Sequence, residues 1–449
     1  MDPLSIFNLQ NPWRREKSFH VHPFIERDAS TWLSHWLENP DVLVILGPRQ
    51  SGKTTLIKRQ IQSLVEKGLN NSIFYFNLDN ENLQALFKQV SSFVKFIQSK
   101  STNNKRAYIF IDEIQRVKNA GLFLKQIQDL DMPFKLIISG SSSLEVKAKT
   151  KEHLTGRKKE FLLTPLSFAE FLKQSLRKKV ESIPSLQNKN ELLDFTHLYG
   201  EAIWKAACEY LLYGGYPKVV MTPDPQDKIA ELAEIYSSYL KKDVQDYLGV
   251  ENVEAFNKLV SLSAFQLGNL VNFSELASSL QITRATVKKY LTVLQDSFVL
   301  TMLPPFFTNR KRELVKNQKV FWLDNGLRNF IINNFTSITT RGDHGALIEN
   351  FVFNELTRKI HPPSTFHFWR TQTGAEVDFV IRQGEEIIPI EVKSQEMTLP
   401  RTSRSFLSFL NQYHPEQGFF LNRNLLDQTK YKQTTIHFIP FWLINKFSF

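Results

Sequence analysis

A loop of eight residues carries a pattern that binds phosphate in many proteins. It follows G-x-x-x-x-G-K-[ST] at every fixed position and reads Gly47-Pro48-Arg49-Gln50-Ser51-Gly52-Lys53-Thr54. Glycines let such a loop turn its backbone N–H groups toward phosphate oxygens, and the helix that starts at Lys53 adds partial positive charge. We expect Lys53 to contact the β- and γ-phosphates of ATP, Thr54 to bind Mg²⁺, and the nucleotide contacts to extend to Thr55. The alternative is an accidental match in a turn, which the strand before the loop and the helix after it disfavour.

Two adjacent acids follow a second apolar segment. Residues 107–111 are strongly apolar, and Asp112 and Glu113 come directly after them. In open α/β sheets, ligands bind at the carboxyl ends of the strands, which is where this pair would lie. We expect Asp112 to complete the Mg²⁺ site and Glu113 to orient and deprotonate the attacking water. The alternative, in which both acids only cap a following helix, is disfavoured by the complete phosphate-binding loop upstream.

Two further positions are candidates for sensing the γ-phosphate. In ring-type ATPases of the AAA+ class, the strand between the P-loop strand and the acidic strand ends in a polar residue, and Ser139 or Ser141 resembles that residue. A plain turn is the alternative. Arg157 is a candidate arginine finger or sensor, and a solvated basic turn with Lys158 and Lys159 is the competing interpretation.

Four residues near the carboxyl end have the chemistry of a metal-dependent hydrolytic site. Asp378 and Glu391 lie on two segments with strand character that are joined by a turn. Because side chains alternate along a strand, Glu391 and Lys393 share one face, and Glu349 approaches from an amphipathic helix. Such carboxylates would hold Mg²⁺ or Mn²⁺ and activate a water, while Lys393 would stabilise charge or position that water. The alternative is a solvated acidic strand edge with a salt-bridged lysine.

The elements that position the P-loop and the acid pair alternate between strand and helix. Alternation of this kind predicts an α/β fold with a parallel sheet covered by helices. The predicted strands are Val42–Leu46, Ile73–Phe76, Ala107–Ile111 and Lys135–Ser139, and the predicted helices are Lys53–Glu66, Glu81–Gln98 and Ala120–Leu130. We predict a P-loop ATPase domain over 1–165, a helical lid or linker over 166–265, a winged helix-turn-helix over 266–330 and, as the resemblance described below implies, a nuclease-like domain over 331–449.

The middle of the chain contains a helix-turn-helix pattern. Phe273–Leu280 and Arg284–Gln295 are the two predicted helices, and Lys288 and Lys289 lie opposite the apolar face of the second. The segments 298–303 and 320–323 are predicted to form the two strands of a wing. This resembles a winged helix, whose second helix usually enters a DNA groove, so we expect DNA phosphate contacts here. The alternatives are a dimerisation module or a spacer.

The composition of the chain limits which partners and which compartment we expect. The 449 residues carry a formal net charge of +11, which favours binding to polyanions such as DNA. The longest apolar runs are far shorter than the ~20 residues of a membrane-spanning helix, so we expect no membrane span. The amino terminus lacks the pattern of a secretory signal. With a single cysteine, Cys208, no intrachain disulfide framework is possible, and we expect a cytoplasmic protein.

The carboxyl-terminal residues resemble the PD-(D/E)XK nuclease superfamily, with Asp378, Glu391-Val392-Lys393 and helical Glu349 matching its pattern. The whole chain, from Asp41 through Phe441, resembles a prokaryotic ATPase family in which an AAA-type P-loop domain precedes a winged helix and a nuclease-like domain. The resemblance implies a homo-oligomer such as a ring. The chain departs from this family at Lys242-Asp243, where relatives commonly carry Arg-Asp. Lysine cannot make the bidentate contact of an arginine, so a role of that arginine in a neighbouring subunit does not carry over to Lys242.

Two functions are consistent with these features. The first is an ATP-driven DNA-processing enzyme, a motor or junction-remodelling ATPase with a metal-dependent nuclease-like module. It is favoured by the basic charge, the helix-turn-helix and the intact carboxyl-terminal set. The second is an ATP-dependent regulatory switch whose carboxyl-terminal domain is a catalytically silent docking module. Stimulation of ATP turnover by DNA distinguishes them.

Overall fold

The computed structural model describes residues 2–16, 18–101, 106–140, 154, 156–176, 189–238, 252–307 and 317–446. The chain divides into two compact units. The first contains Met1–Leu166 and Asp296–Phe298, and the second contains Ser167–Gln295 and Val299–Phe449. The first unit corresponds to the predicted ATPase domain. The three domains predicted downstream fall within the second unit apart from Leu166 and Asp296–Phe298, and all four predicted domain boundaries stay predictions.

The first unit is built on a five-stranded sheet in the order β2-β3-β4-β1-β5, in which every neighbouring pair is parallel. This confirms the predicted parallel sheet. Its strands are β1 Val42–Leu46, β2 Ile73–Asn77, β3 Ala107–Asp112, β4 Phe134–Gly140 and β5 Lys158–Leu162. Its helices are α1 Pro3–Gln10, α2 Asp28–Trp36, α3 Lys53–Glu66, α4 Glu81–Gln84, α5 Val90–Lys100 and α6 Ala120–Asp129.

Helices cover both faces of this sheet, which explains why its strands are continuous apolar runs. In β1, Leu43 and Ile45 pack with residues of α2 and α3, whereas Val44 and Leu46 pack with residues of α1, α5 and α6. Successive side chains of a strand point to opposite faces, so a strand buried on both faces needs apolar residues at every position. All five residues of β1 are buried.

The helix predicted over Glu81–Gln98 is interrupted. It forms α4, a 3-10 turn over Ala85–Phe87, and then α5, with Gln89 in an extended conformation between them. Phe87 and Phe93 both pack on the sheet with their ring centroids 5.0 Å apart. In one continuous helix, residues six positions apart would point about 240° apart around the axis. The break at Gln89 therefore lets both rings face the core.

The second unit begins with helices and a short hairpin. The helices are α7 Phe168–Leu176, α8 Lys189–Tyr213, α9 Pro217–Met221, α10 Pro225–Ile235, α11 Val253–Phe265, α12 Phe273–Leu280 and α13 Arg284–Asp296. β6 Leu300–Leu303 then pairs antiparallel with β7 Lys319–Trp322. Gln281 adopts a left-handed conformation that ends α12, so the turn to α13 forms as predicted. The predicted helix-turn-helix and strand pair are therefore present as elements.

The second unit ends in a six-stranded mixed sheet in the order β12-β13-β11-β10-β9-β8. The strands are β8 Thr365–Arg370, β9 Glu376–Gln383, β10 Glu386–Val392, β11 Gln417–Asn422, β12 Asp427–Tyr431 and β13 Thr434–Pro440. The helices are α14 Asn325–Ile331, α15 His344–Thr357 and α16 Arg404–Tyr413. The predicted order α-β-β-β-α-β is observed from α15 to β11. The hairpin of β12 and β13 was not predicted.

Phe351 of α15 joins several elements of the second unit. Its ring is 1% exposed and contacts the rings of Phe168, Tyr210 and Phe441 at centroid distances of 5.2, 5.8 and 5.2 Å. Phe351→Ala should leave a cavity and lower the free energy of unfolding by about 3–5 kcal/mol. Denaturant unfolding measures the change. Leu198→Ala, at a side chain that is 73% exposed in the same unit, is the matched control and should change stability by less than about 0.5 kcal/mol. Equal midpoints for the two variants would contradict this packing role.

Candidate functional site

The phosphate-binding loop connects β1 to α3, as its sequence predicted. Gly47 lies so close to the neighbouring chain that an added Cβ would be 2.2 Å from the carbonyl oxygen of Leu163. Only glycine fits there. Gly52 has a φ of 97° where α3 begins, a conformation that side chains disfavour. Of the remaining loop residues, Pro48 and Ser51 are buried and Gln50 is exposed. Arg49 and Thr55 are half-buried.

The ammonium of Lys53 lies inside this loop. Its side chain is buried, and Nζ donates hydrogen bonds to the carbonyl oxygens of Gly47 and Pro48, both at 2.9 Å. A buried charge needs such partners, because burial without them costs several kcal/mol. The loop thus keeps a positive charge at the position where the predicted phosphate contacts are made.

A buried carboxylate, Asp112, connects the loop to the sheet. Thr54 Oγ1 donates to its Oδ2 at 2.6 Å, and the Tyr75 hydroxyl donates to the same oxygen at 3.1 Å. The Ser139 hydroxyl donates to Oδ1. Burial, and secondarily the charge of Asp112, raises the pKa of Tyr75, so this phenol is a neutral donor. Tyr75 was not predicted as a site residue, although β2 is the neighbour of β3 in the sheet.

Glu113 follows Asp112 in a left-handed conformation with a φ of 60°. Burial raises the pKa of its carboxyl, the charge of Asp112 adds to this, and Lys53 opposes it. A carboxylate with a raised pKa is a better proton acceptor, which suits a general base. The Gln115 side-chain amide donates a hydrogen bond to Glu113. This orienting partner was not predicted, although it lies only two residues along the chain.

The oxygen ligands around Asp112 fit Mg²⁺ and a nucleoside triphosphate. The hydroxyl of Thr54 and the carboxylate of Asp112 are hard oxygen ligands, which Mg²⁺ prefers. Mg²⁺, when bound, would neutralise charge on the phosphate oxygens. The Ser139 hydroxyl donates a hydrogen bond to the same carboxylate, so this predicted sensor residue is part of the site. The other candidate, Ser141, lies outside the described residues.

Arg157 is not brought to this site. Its guanidinium pairs with Asp129 at 2.5 Å, and its carbonyl accepts a hydrogen bond from the backbone of Val42 at the start of β1. The phosphate-binding loop follows the other end of β1. Within one chain, Arg157 therefore lies at the amino end of β1, whereas the loop lies at the carboxyl end. A role as an arginine finger in a neighbouring subunit stays a prediction.

Arg27 supports the loop from outside the motif. Its guanidinium donates to the carbonyl oxygens of Ser51 at 2.9 Å and Thr164 at 2.7 Å, and the side chain is 8% exposed. These bonds attach the loop to the segment that precedes α2. Sequence reasoning missed Arg27 because nothing in its spacing from the motif marks it.

The second candidate site lies on β9 and β10. Asp378 Oδ2 accepts a hydrogen bond from the backbone N–H of Val392 at 2.7 Å, and Lys393 Nζ donates to Glu391 Oε1 at 2.7 Å. Burial, with the charge of Asp378 as a further cause, raises the pKa of both Glu349 and Glu391 to about 7. The predicted carboxylates and lysine are therefore near enough to interact electrostatically.

A fifth residue, Lys319, lies among these carboxylates. It is the first residue of β7 and is 3% exposed. Its Nζ is 3.1 Å from Glu349 Oε1 and 2.5 Å from Glu376 Oε1. Burial opposes its charged form, but Glu349, Asp378 and Glu376 outweigh burial and raise the pKa of Lys319. Lys319 directly precedes the predicted wing strand over 320–323, and no role was predicted for Lys319 or for Glu376.

The predicted metal site does not fit Mg²⁺ or Mn²⁺ in this arrangement. The ammonium of Lys319 pairs with Glu349, one of the three predicted metal ligands, and with Glu376. Among the described residues, no three His, Cys, Asp or Glu side chains are grouped so that they could hold a metal ion. This arrangement therefore does not support the prediction that Glu349, Asp378 and Glu391 bind a metal.

The helix α13 presents a basic face. Arg284, Lys288 and Lys289 are exposed, whereas Val287 and Leu291 are buried on the other side. Arg284 and Lys288 line a groove of about 690 Å³. Lys288 Nζ lies 5.5 Å from the centre of the Phe273 ring, a cation–π distance. The exposed face of α13 is therefore positively charged. In the part of the chain that the structure describes, no helix is long and apolar enough to cross a bilayer.

Three segments of the chain match models of protein families. Residues 39–172 match a family described as an AAA domain. Residues 205–337 and 344–444 match two families that are described only as domains of unknown function. The first match covers the phosphate-binding loop, Asp112, Glu113 and Arg157. The chain therefore carries an AAA-type P-loop ATPase domain.

Relatives match over most of the chain. An uncharacterized protein of Haemophilus influenzae is 27% identical over 413 residues, which cover 90% of this chain and 94% of the relative. Uncharacterized protein MJ1544 of Methanocaldococcus jannaschii is 25% identical over 423 residues, covering 89% and 87%. Uncharacterized protein Rv2008c of Mycobacterium tuberculosis is 26% identical over 389 residues, covering 86% and 77%. The similarity thus extends well beyond the ATPase domain.

Solved structures are similar at a lower level. The ORC1 protein of Aeropyrum pernix in complex with DNA has a TM-score of 0.31 and 14% identity, covering 72% of this chain and 97% of that chain. The ORC2 protein of the same organism in its ADP form has a TM-score of 0.33 and 14% identity, covering 72% and 99%. A likeness of this extent carries no conclusion about function.

Lys53→Ala should abolish ATP hydrolysis. The substitution removes the buried ammonium from the loop, and loss of one such charge contact lowers turnover by at least about 10²-fold. Release of phosphate from ATP measures the effect. Lys67→Ala, an exposed lysine at the end of the same helix, is the matched control and should keep the wild-type rate. Turnover by the Lys53 variant at the rate of this control would remove Lys53 from the site.

Glu113→Gln should separate binding from hydrolysis. The amide keeps the shape of the side chain but cannot accept a proton, while Lys53, Thr54 and Asp112 still hold the nucleotide and Mg²⁺. We expect ATP affinity to stay and turnover to fall by about 10²–10⁴-fold. Titration with a fluorescent nucleotide and single-turnover hydrolysis measure the two quantities. Glu81→Gln is the control, and normal turnover by Glu113→Gln would exclude Glu113 as the base.

Proposed function

We propose that this chain is an ATP-hydrolysing DNA-processing enzyme, a DNA-binding motor or a junction-remodelling ATPase. The observation that carries the DNA part is the exposed basic face of α13, which follows a helix-turn and precedes an antiparallel strand pair. The ATPase domain supplies the energy source. The net charge of +11 supports a polyanionic partner over the whole chain.

In the ATP reaction, Glu113 accepts a proton from water as the water oxygen forms a bond to the γ-phosphorus. The bond from the γ-phosphorus to the bridging oxygen breaks, and ADP and phosphate are released. Lys53 would balance charge on the phosphates, and Thr54 and Asp112 would hold Mg²⁺. Ser139 and Thr54 both donate hydrogen bonds to Asp112, which supports a role for Ser139 in sensing the γ-phosphate. Arg157 would act in a neighbouring subunit of a homo-oligomer such as a ring.

In the DNA interaction, Arg284, Lys288 and Lys289 would contact phosphates. Contacts of this kind position a protein on DNA without reading its sequence, because every nucleotide carries the same phosphate. They also release counterions, so affinity falls as salt concentration rises. The groove beside Arg284 and Lys288 has room for a sugar-phosphate backbone. This supports an enzyme that acts on DNA of many sequences.

A second candidate function is an ATP-dependent regulatory switch whose carboxyl-terminal domain only docks. The observation that favours it is the ammonium of Lys319 among the carboxylates of that domain. A metal-dependent nuclease-like module, which the sequence predicted, would need a divalent cation at these carboxylates. The order of α15, β8, β9, β10, α16 and β11 supports a nuclease-like fold, and a fold can retain such residues without catalysis.

The double substitution Lys288→Glu with Lys289→Glu should weaken DNA binding for all sequences alike. Two phosphate contacts are lost and two repulsions added, so the slope of log affinity against log salt should become shallower by roughly 2. Fluorescence anisotropy with labelled duplexes of two unrelated sequences measures this. The matched control is Lys430→Glu with Lys432→Glu, which changes the net charge equally at two other exposed lysines.

The same variants test the function through ATP turnover. Wild type and control should hydrolyse ATP faster with single-stranded, duplex or branched DNA, and the Lys288 and Lys289 variant should lose this stimulation. The DNA form that stimulates most identifies the preferred substrate. If none of the three DNA forms changes the rate of wild type, the regulatory switch replaces the DNA-processing enzyme as the proposed function. If both double variants are stimulated equally, α13 is not the DNA-binding face.

A further inference from the structure

Lys319, on β7 of the β6–β7 strand pair, lies among the carboxylates of the carboxyl-terminal sheet. Lys319 starts β7, and its ammonium contacts Glu349 from α15 and Glu376 from β9 at 3.1 and 2.5 Å. Asp378, also on β9, adds to the negative charge around it. The Phe368 ring lies 5.5 Å from the same nitrogen. One compact cation thus contacts two carboxylates and an aromatic ring, and the charge of a third carboxylate, Asp378, also acts on it.

The remaining charges of the cluster are already paired. Glu391 accepts a hydrogen bond from Lys393, and Glu376 is also bound by Arg370 at 3.0 Å. Asp378 accepts the backbone N–H of Val392. Glu349 is half-buried, and Lys319 is its ion-pair partner. Lys319 therefore supplies the positive charge that these acids would otherwise take from a bound cation.

The backbone around Lys319 is fixed by the fold. The neighbouring Val320 accepts a hydrogen bond from Gly268 N at 2.8 Å and donates one to the carbonyl of Asn269 at 3.1 Å. At the other end of β7, Trp322 donates its backbone N–H to Asn350 at 2.8 Å and its indole N–H to Ser263 at 3.2 Å. The hydrogen bonds therefore anchor β7 at both ends, and the side chain of Lys319 is itself buried.

We infer that the Lys319 ammonium stands in place of a divalent cation in the cluster of Glu349, Glu376 and Asp378. A lysine ammonium is a compact point charge with three donors, and it offers carboxylates the same sign of charge as Mg²⁺ or Mn²⁺. Both cannot occupy one position, since they repel each other and each needs the same oxygens. The carboxyl-terminal domain therefore holds no metal at this cluster while β7 is paired with β6.

This inference goes beyond the proposed function. It concerns only the charges of the carboxyl-terminal cluster and holds whether or not DNA stimulates ATP turnover. Its test measures bound metal and uses no DNA, so its failure and that of the proposed function are distinguishable.

The test is a titration of the nucleotide-free full chain with Mn²⁺, in which free Mn²⁺ is read by electron paramagnetic resonance. We expect wild type and Asp378→Asn to bind the same number of ions. Lys319→Gln should bind one more ion per chain than wild type, and Lys319→Gln with Asp378→Asn should lose that ion. Lys288→Gln, an exposed lysine outside the cluster, is the matched control and should gain none. Binding at the P-loop is common to all variants and cancels in these differences.

Two results would overturn the inference. One is a wild-type chain that binds one ion more than Asp378→Asn, because metal would then be held with Lys319 in place. The other is Lys319→Gln that keeps the wild-type circular dichroism spectrum but gains no ion. If Lys319→Gln does not fold, Lys319→Arg keeps the charge. Wild-type ion binding by Lys319→Arg, together with the comparison of wild type and Asp378→Asn, then supports the inference, and an added ion opposes it.

Discussion

The architecture of the ATPase domain depends on the burial of one carboxylate, Asp112. This side chain is fully buried, and its two oxygens accept hydrogen bonds from the hydroxyls of Thr54, Tyr75 and Ser139. Those three residues belong to α3, β2 and β4, so one charge at the end of β3 sets the position of all its neighbours. A buried carboxylate without such donors would be unfavourable by several kcal/mol, which makes the arrangement of the strands and the geometry of the site a single constraint.

The carboxyl-terminal sheet meets the same constraint in a different way. Its half-buried acids Glu349 and Glu376 are balanced by the ammonium of Lys319 and the guanidinium of Arg370 rather than by hydroxyls. Hydroxyl donors leave a carboxylate with its negative charge and room for an added cation. An ammonium in ion-pair contact neutralises that charge within the chain. Two clusters of acids in one protein are therefore suited to different tasks, the first to Mg²⁺ and a nucleotide, the second to holding β7 against the sheet.

The sequence predicted the parts of the fold whose signals are local. The apolar run Val42–Leu46 and the helix Lys53–Glu66 have the bounds that the structure gives to β1 and α3. The break at Gln89 was missed, because it depends on how two rings pack against the sheet and not on a helix-breaking residue. The loop residues of the nucleotide site could be identified because they are contiguous. Arg27 and Tyr75 act on that site from distant segments, and no spacing rule relates them to it.

The same distinction explains the second cluster. The pattern of Asp378, Glu391 and Lys393 is readable in two adjacent strands, and it is compatible with a metal site or with ion pairs. The group that decides between them is the ammonium of Lys319 in β7. Lys319 lies 59 residues before Asp378 in the chain. Lys319 belongs by sequence to a different predicted domain, so its contact with Glu349 exists only after the hairpin and α15 have packed together. The chemistry of a carboxylate cluster is therefore a property of the folded unit, because the identity of the counterion is set by tertiary structure and not by the motif.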